Sequence, residues 1–360
     1  MTAKNRGLVA ITGANGFIGY ACVVHALQAN YRVRCIVRRE DAFAAIESGL
    51  SVQQYLHHLD FAVVPDNAAE NSYDDALAGA KYVVHIAGAV PLPHLHPDDQ
   101  IYYPFIRSTK NMISAAEKSG TVKRIVFTQA GAGLIDSEVG DTYGKEMKGV
   151  LDEHVEVNQA ALTYKPPLKS PHQAYCASKS QCMTYLNDLQ RSKKLPFDIV
   201  QVIPGTVIGP SEFVTTRSQA LEHIDRQTKA LLFDGMAPRY AFGFVHVQDC
   251  ARIHIEALNE QKVKSKNIPP WFVAAATSEE GVNGEQMWAK TADVIEQEFE
   301  QEIKEGVFKV GRSKTPVNMP YRVDSGFTES TLLHGETMRG LEECVREVAN
   351  WYLRLKLDDE

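Results

Sequence analysis

The sequence predicts an α/β protein: a doubly wound parallel sheet followed by a smaller C-terminal domain. Three observations predict it. A short apolar run of strand formers, Gly7 to Thr12 (GLVAIT), leads straight into Gly13-Ala14-Asn15-Gly16-Phe17-Ile18-Gly19. Apolar runs of strand length then alternate with helical patterns, as strand–helix–strand units do. Those runs are close to continuously apolar, as expected of strands covered on both faces. A length of 360 residues leaves room for about two domains.

The first element is the strand Gly7–Thr12, followed by the glycine turn and a helix running through Ala29. This is the phosphate-binding start of a Rossmann-like dinucleotide fold. Gly13 permits the tight turn, Gly16 lets the backbone approach a pyrophosphate, and Gly19 lets the helix pack close to the strand. Asn15, Phe17 and Ile18 complete the turn and open the helix, whose N–H groups and positive dipole end favour phosphate. A glycine-rich turn without a ligand is the bland alternative, and the flanking strand and helix weigh against it. The second strand is Arg32–Val37. An acidic residue at its end would bind the ribose hydroxyl of NAD. Here Arg38 and Arg39 stand there instead, and a guanidinium pairs with the 2′-phosphate of NADP(H). Glu40 and Asp41 offset part of that charge.

The next predicted strands are Phe61–Val64, Tyr82–Ile86, Arg124–Thr128 and Asp198–Ile203. Helical patterns lie near Ser72–Ala78, Asp98–Ser119 and Ala174–Lys193. The stretch from Gly133 to His172 is long, polar and proline-bearing, and reads as an irregular insertion. After it, Tyr175 and Lys179 stand four apart in a helical pattern, which puts both on one face. An ammonium beside a phenol favours the tyrosinate and lowers its pKa, which suits proton exchange with a carbonyl or alcohol oxygen. The pair is weak alone and strong beside the glycine turn.

These motifs together identify the chain as similar to the extended short-chain dehydrogenase/reductases, the group with the NAD-dependent epimerase/dehydratase fold. Within it the chain resembles the dihydroflavonol reductase and 3β-hydroxysteroid dehydrogenase branch of carbonyl reductases. The matching residues are Thr12 to Gly19, Val37-Arg38, His85-Ile86-Ala87-Gly88, Arg124 to Thr128, and Tyr175 with Lys179. Ile203-Pro204-Gly205-Thr206-Val207-Ile208-Gly209-Pro210, Phe244 to Asp249, and Leu341-Glu342-Glu343 before a final helix continue the match.

The resemblance implies roles by position. The three glycines would hold the pyrophosphate and Arg38 the 2′-phosphate. Asp66 and Asn67 would contact adenine, and Ala87 and Gly88 would line the cofactor near its ribose. Lys179 would bind the nicotinamide ribose and tune Tyr175, the general acid. Pro204, Gly205 and Val207 would shape the nicotinamide site. One departure stands out. The family ends its fifth strand with a hydroxyl residue that holds the substrate carbonyl, and the run here is Thr128-Gln129-Ala130. Ala130 has no donor, at a cost of a few kcal/mol if nothing replaces it. Thr128, Gln129 or the substrate itself would have to compensate, or the redox step is impaired.

The rest of the chain narrows the class. Lys and Arg total 38 against 45 Asp and Glu, a net charge of -7, which argues against nucleic acid as a partner. No run is long and apolar enough to span a membrane, and MTAKNRGLVAITG lacks a signal-peptide pattern. The six scattered cysteines suggest neither zinc nor a disulfide framework, so a cytoplasmic setting and no metal are expected. His94 and His96 lack a third ligand. His246 reads as structural, Asp152-Glu153 as a solvated loop, and Trp271, Trp288 and Trp351 as core or pocket wall.

The expected domains are residues 1–207, with 244–260 returning to them, and a substrate domain from 208–243 and 261–360. The substrate is expected in the cleft between them. The leading expectation is an NADP(H)-dependent oxidoreductase acting on CH–OH or carbonyl groups of a small or medium organic molecule. An epimerase, dehydratase or isomerase that keeps its nucleotide bound is the second; Lys309, Arg312, Lys314 and Arg322 would serve a diphosphate there. A dinucleotide-sensing regulator, motivated by Ala130, is the third. The resemblance leaves monomer and homodimer both open.

Overall fold

The computed structural model describes residues 6–135, 142–192, 194–239, 242–319 and 321–357. Its strands are β1 (Leu8–Thr12), β2 (Arg32–Val37), β3 (Leu59–Val63), β4 (Tyr82–His85), β5 (Arg124–Thr128) and β6 (Gly149–Leu151). They continue as β7 (Asp198–Pro204), β8 (Thr206–Ile208), β9 (Phe244–His246), β10 (Phe272–Ala274) and β11 (Tyr321–Val323). Seven form one Rossmann-like sheet in the order β10-β7-β5-β4-β1-β2-β3. β3 pairs with β2, β2 with β1, β1 with β4, β4 with β5 and β5 with β7, all parallel. The chain winds outward through β2 and β3, then restarts on the other side of β1 at β4. The carboxyl ends of β1 and β4 therefore flank the point where winding reverses, and the loops that leave them diverge. A ligand finds its crevice there.

Buried helices explain the continuous apolar strands. The core between sheet and helices is built from Ala10, Ile36, Val83, Ile125 and Phe127 on the strands and Met112, Ile113 and Leu186 on helices Tyr103–Ser119 and Pro171–Ser192. Two expectations differ locally. The helical pattern near Ser72–Ala78 yields only a 3₁₀ turn, Asp75–Leu77. The pattern from Asp98 begins as a π turn, Pro97–Tyr102, before the regular helix.

The chain divides into two units. One takes Met1–Asp136, His154–Ile203 and Ala251–Phe272; the other takes Ser137–Glu153, Pro204–Cys250 and Val273–Glu360. Residues 244–260 were expected to return to the first domain. Within them, strand β9 pairs with β8, in parallel, as a two-stranded sheet. Only from Ala251 does the chain return to the first unit, and Arg124 shows why that segment stays. Its fully buried guanidinium donates to the carbonyls of Ala257 at 3.1 Å and Val263 at 2.6 Å, and pairs with Asp198 at 2.7 Å. A buried cation with these partners is costly to strip bare, so it pins the returning segment beneath β5 and β7.

The second unit carries β8–β9 and a further parallel pair, β6 with β11, of which β6 lies inside the stretch expected to be an irregular insertion. Residues 136–141 of that stretch lie outside the described residues. Helix Gly284–Glu298 starts on a capping box in which Asn283 accepts from Gln286 N and Gln286 accepts from Asn283 N. It places Trp288 in the core, where the indole donates to Gly311 O at 3.1 Å. All six cysteines are buried. Among the described residues no helix is long and apolar enough to cross a membrane.

Candidate active site

The glycine turn is built by close approach. Gly13 has φ +67°, a conformation that strains any side chain, and it follows β1 directly. A Cβ on Gly19 would lie 2.0 Å from the carbonyl oxygen of Gly13 and 2.8 Å from its carbon. Only glycine lets the Phe17–Gln28 helix seat this tightly on the turn. Gly16 is the N-cap, contributes no side chain to capping, and the first turn carries no acidic residue. Asn15 and Gly16 are exposed, and Phe17 and Ile18 half-buried. A twelve-residue helix thus presents its positive end without a carboxylate of its own, and the cradle fits the pyrophosphate of a dinucleotide.

Across the switch point lies the loop after β4. A Cβ on Gly13 would sit 3.4 Å from the backbone of Ala87, so the two loops touch. Thr12 ties them: its hydroxyl accepts from Ile86 N at 2.9 Å and Ala87 N at 3.0 Å, and lies 3.0 Å from His85 Nδ1. His85 Nε2 lies 3.3 Å from the Ser108 hydroxyl, which lies 3.1 Å from the Tyr73 hydroxyl. Burial, with help from the Lys179 charge, pushes the imidazole down to about 3, so His85 is a neutral strut. Thr12 leads into the glycine turn, yet nothing local marks it as the residue that holds Ile86 and Ala87.

Arg38 follows β2 directly, is exposed, and makes no hydrogen bond or ion pair among the described residues. Arg39 is partnered, with Nε 3.2 Å from Asp41. The acidic neighbours therefore offset Arg39 and leave the Arg38 charge open. Asp66 is exposed and accepts from Ala68 N at 2.8 Å, and the carbonyl of half-buried Asn67 accepts from Asn111 at 3.1 Å. That bond fixes the turn after β3 to helix Tyr103–Ser119.

Tyr175 and Lys179 lie one turn apart on helix Pro171–Ser192, and Phe105 joins them. The Lys179 ammonium is 4.5 Å from the centroid of Phe105 and 5.8 Å from that of Tyr175, and the two rings meet edge-on at 5.6 Å. Lys179 also donates to Thr128 O at 3.1 Å. The ring of Phe105 lies against Gly88, where a Cβ would come within 2.4 Å of it. Phe105 therefore links the loop after β4 to the tyrosine and lysine, a role its place in an apolar helix pattern did not announce.

The protonation states differ from the spacing argument. Burial pulls Lys179 down to about 8 and pushes the Tyr175 hydroxyl up, above the ordinary phenol range. The ammonium faces the Thr128 carbonyl and the Phe105 ring, so it does not lower Tyr175 here. Tyr175 is a firmly protonated phenol.

The two candidate substitute donors at the end of β5 already have partners. The Thr128 hydroxyl is 2.9 Å from Nε2 of fully buried His254. Buried Gln129 donates to Gln201 at 2.8 Å. Thr128 thus meets helix Val247–Glu256 and Gln129 meets β7, and Ala130 follows as the N-cap of the Gly131–Gly133 turn.

The last three expected cofactor residues follow β5's neighbour. Pro204 ends β7; Gly205 donates its N–H to Ala274 O at 2.9 Å; Val207 pairs with Val245 between β8 and β9. All three belong to the second unit. There, three of the basic residues that would serve a diphosphate are already paired: Lys309 and Lys314 with Asp234, Arg312 with Asp293 and Glu296. His246 is fully buried, 3.2 Å from Glu347 and 3.0 Å from Arg339. His96 caps its own turn by accepting from Asp99 N. Among the described residues no group of three metal-ligating side chains forms.

The chain is similar over nearly its whole length to proteins named as ketoreductases. It is 25% identical over 366 residues to "Ketoreductase CTB6" of Cercospora nicotianae, covering 98% of this chain and 97% of that protein. It is 28% identical over 358 residues to "Ketoreductase sphI" of Aspergillus fumigatus, covering 96% and 97%. Its fold superposes on yeast methylglyoxal/isovaleraldehyde reductase Gre2, solved with NADPH, at a TM-score of 0.73, with 20% identity and 96% and 98% coverage. The sequence pattern of the NAD dependent epimerase/dehydratase family matches residues 9–268. With its glycine cradle at the switch point and its tyrosine–lysine helix beside it, the chain belongs to the NAD-dependent epimerase/dehydratase family.

Proposed function

We propose that this protein is an NADPH-dependent reductase of ketones or aldehydes on small or medium-sized organic molecules. The observation that carries the reading is the protonated Tyr175 one helical turn from the buried cation Lys179, with Phe105 packed on both and on Gly88. Bound NADPH would supply the hydride to the carbonyl carbon. Tyr175, held protonated by burial, gives its proton to the carbonyl oxygen. Lys179 is mostly charged at neutral pH and places positive charge near the oxygen that turns negative. Thr128 holds that ammonium through its carbonyl rather than through its hydroxyl. Ala130 adds no donor, so polarisation of the carbonyl falls to Tyr175. The cradle of Gly13, Gly16 and Gly19 carries the pyrophosphate, and the open guanidinium of Arg38 favours the 2′-phosphate of NADPH.

The relatives named ketoreductases support the reaction class. A nucleotide-sugar reaction is less well supported, because Lys309, Arg312 and Lys314 are already neutralised by carboxylates. The test is carbonyl-dependent oxidation of NADPH by purified protein across a ketone and aldehyde panel. Tyr175→Phe should lower turnover by about 10²–10⁴-fold and leave NADPH affinity unchanged. Tight NADPH binding with no turnover on any compound would favour a dinucleotide-sensing regulator instead.

A further inference from the structure

The second unit holds a cavity of about 250 Å³ lined wholly by its own residues. Four of the chain's eight methionines, Met147, Met287, Met319 and Met338, line it together with Val282 and Leu341. It opens to solvent at a rim that carries Lys290 and Glu279, and a partly enclosed, mostly apolar pocket of this size is the usual form of a small-molecule site. Its chemistry says which kind of molecule. The charged groups on its wall are matched: Lys290 lies 3.1 Å from Glu279 and 3.7 Å from Glu342. The Thr277 hydroxyl accepts from Ser325 N at 3.1 Å, and the Ser278 hydroxyl accepts from Val323 N at 2.9 Å. Among the described residues, no buried polar side-chain atom of the lining lacks a partner. An ionic ligand would break these pairs or enter without a counter-charge. Methionine thioethers adapt their shape to a guest and contact ring edges favourably.

We infer that this cavity binds a neutral, flat, apolar molecule about the size of two fused aromatic rings. The size follows by proportion, since an apolar cavity of about 150 Å³ takes one benzene ring. The inference is independent of the reductase reading, because no residue of the cradle or of the Tyr175 helix lines the cavity.

The test uses the full chain with ¹³C-labelled methionine methyl groups, saturated with NADP⁺ and titrated with 2-naphthol. Saturable one-to-one binding is expected, with shifts at the methyls of Met147, Met287, Met319 and Met338. Met183, on the helix that carries Tyr175, should not move. The anion 2-naphthoate should bind at least about tenfold more weakly. Val282 is half-buried in a turn, and Val282→Trp should fill the cavity and abolish the shifts. Shifts centred on Met183, no saturation, equal affinity for the carboxylate, or undiminished binding in a folded Val282→Trp would each overturn the proposal. Should that variant fail to fold, the methyl shifts and the naphthoate comparison in the unaltered chain decide.

Discussion

Replacing Lys179 with methionine should stabilise the cofactor-free protein while removing its activity. Lys179 is 8% exposed, and burial pulls its ammonium from 10.5 down to about 8. A depressed value on a base means that the folded state prefers the neutral amine. Between about pH 8 and 10.5 the unfolded chain binds a proton that the folded chain has released, so this group's contribution to stability rises with pH there. It is fully present above about 10.5 and lost as pH falls through about 8. At 1.36 kcal/mol per unit, the penalty at neutral pH is about 3 kcal/mol. Methionine keeps the length and removes the charge, but forfeits the 3.1 Å bond to Thr128 O, worth about 1 kcal/mol. The net expectation is a gain of about 2 kcal/mol near pH 7 that turns into a loss of about 1 kcal/mol near pH 11. Denaturant midpoints of both proteins across that range, read as a difference, cancel the other alkaline titrations. A variant that is destabilised equally at both ends would refute the buried-cation account. Turnover of NADPH should fall at least about 100-fold at every pH.

Three further outcomes test the cradle and the missing hydroxyl. Gly19→Ala would drive a methyl to 2.0 Å from the Gly13 carbonyl oxygen, so thermal unfolding should show a loss of about 2–4 kcal/mol and titration a large loss of NADPH affinity. Arg38→Ala should weaken NADPH by about 10–100-fold, measured calorimetrically, with NADH nearly unaffected; equal losses would refute the 2′-phosphate assignment. Ala130→Ser adds a donor where Thr128 and Gln129 are committed elsewhere, and kcat should rise by about tenfold or more. A fall would show instead that the methyl makes room for substrate.

Much of the cradle was legible because its physics is local. A tight turn, a close helix and a phosphate at the helix end all need glycines at fixed spacing, whatever the rest of the chain does. Arg38 was legible for the same reason, as the residue that follows β2. The tyrosine and lysine were legible as a pair on one helix face. Their electrostatics were not: the spacing brought Lys179 near Tyr175, but burial and the carbonyl of Thr128, 51 positions away, decide where the ammonium points and which form each group prefers. Phe105 looked like ordinary core, and Thr12 like the last residue of a strand. Both matter through contacts with residues about 70 positions distant.

By itself, then, the sequence determined the fold class, the places of the first five strands along the chain, the glycine turn after β1 and the family. These depend on patterns a few residues long, repeated with the period of a strand or a turn. Only the tertiary structure decided that β9 pairs with β8 and not with the large sheet, that buried Arg124 holds the segment returning at Ala251, and that the Thr128 hydroxyl and the Gln129 amide meet His254 and Gln201. It alone assembled a methionine-lined cavity from segments scattered between residues 147 and 342. The reason is common to all of them: burial and pairing across long sequence separations set the partner, the charge state and the free volume, and none of these is a property of a short run of residues.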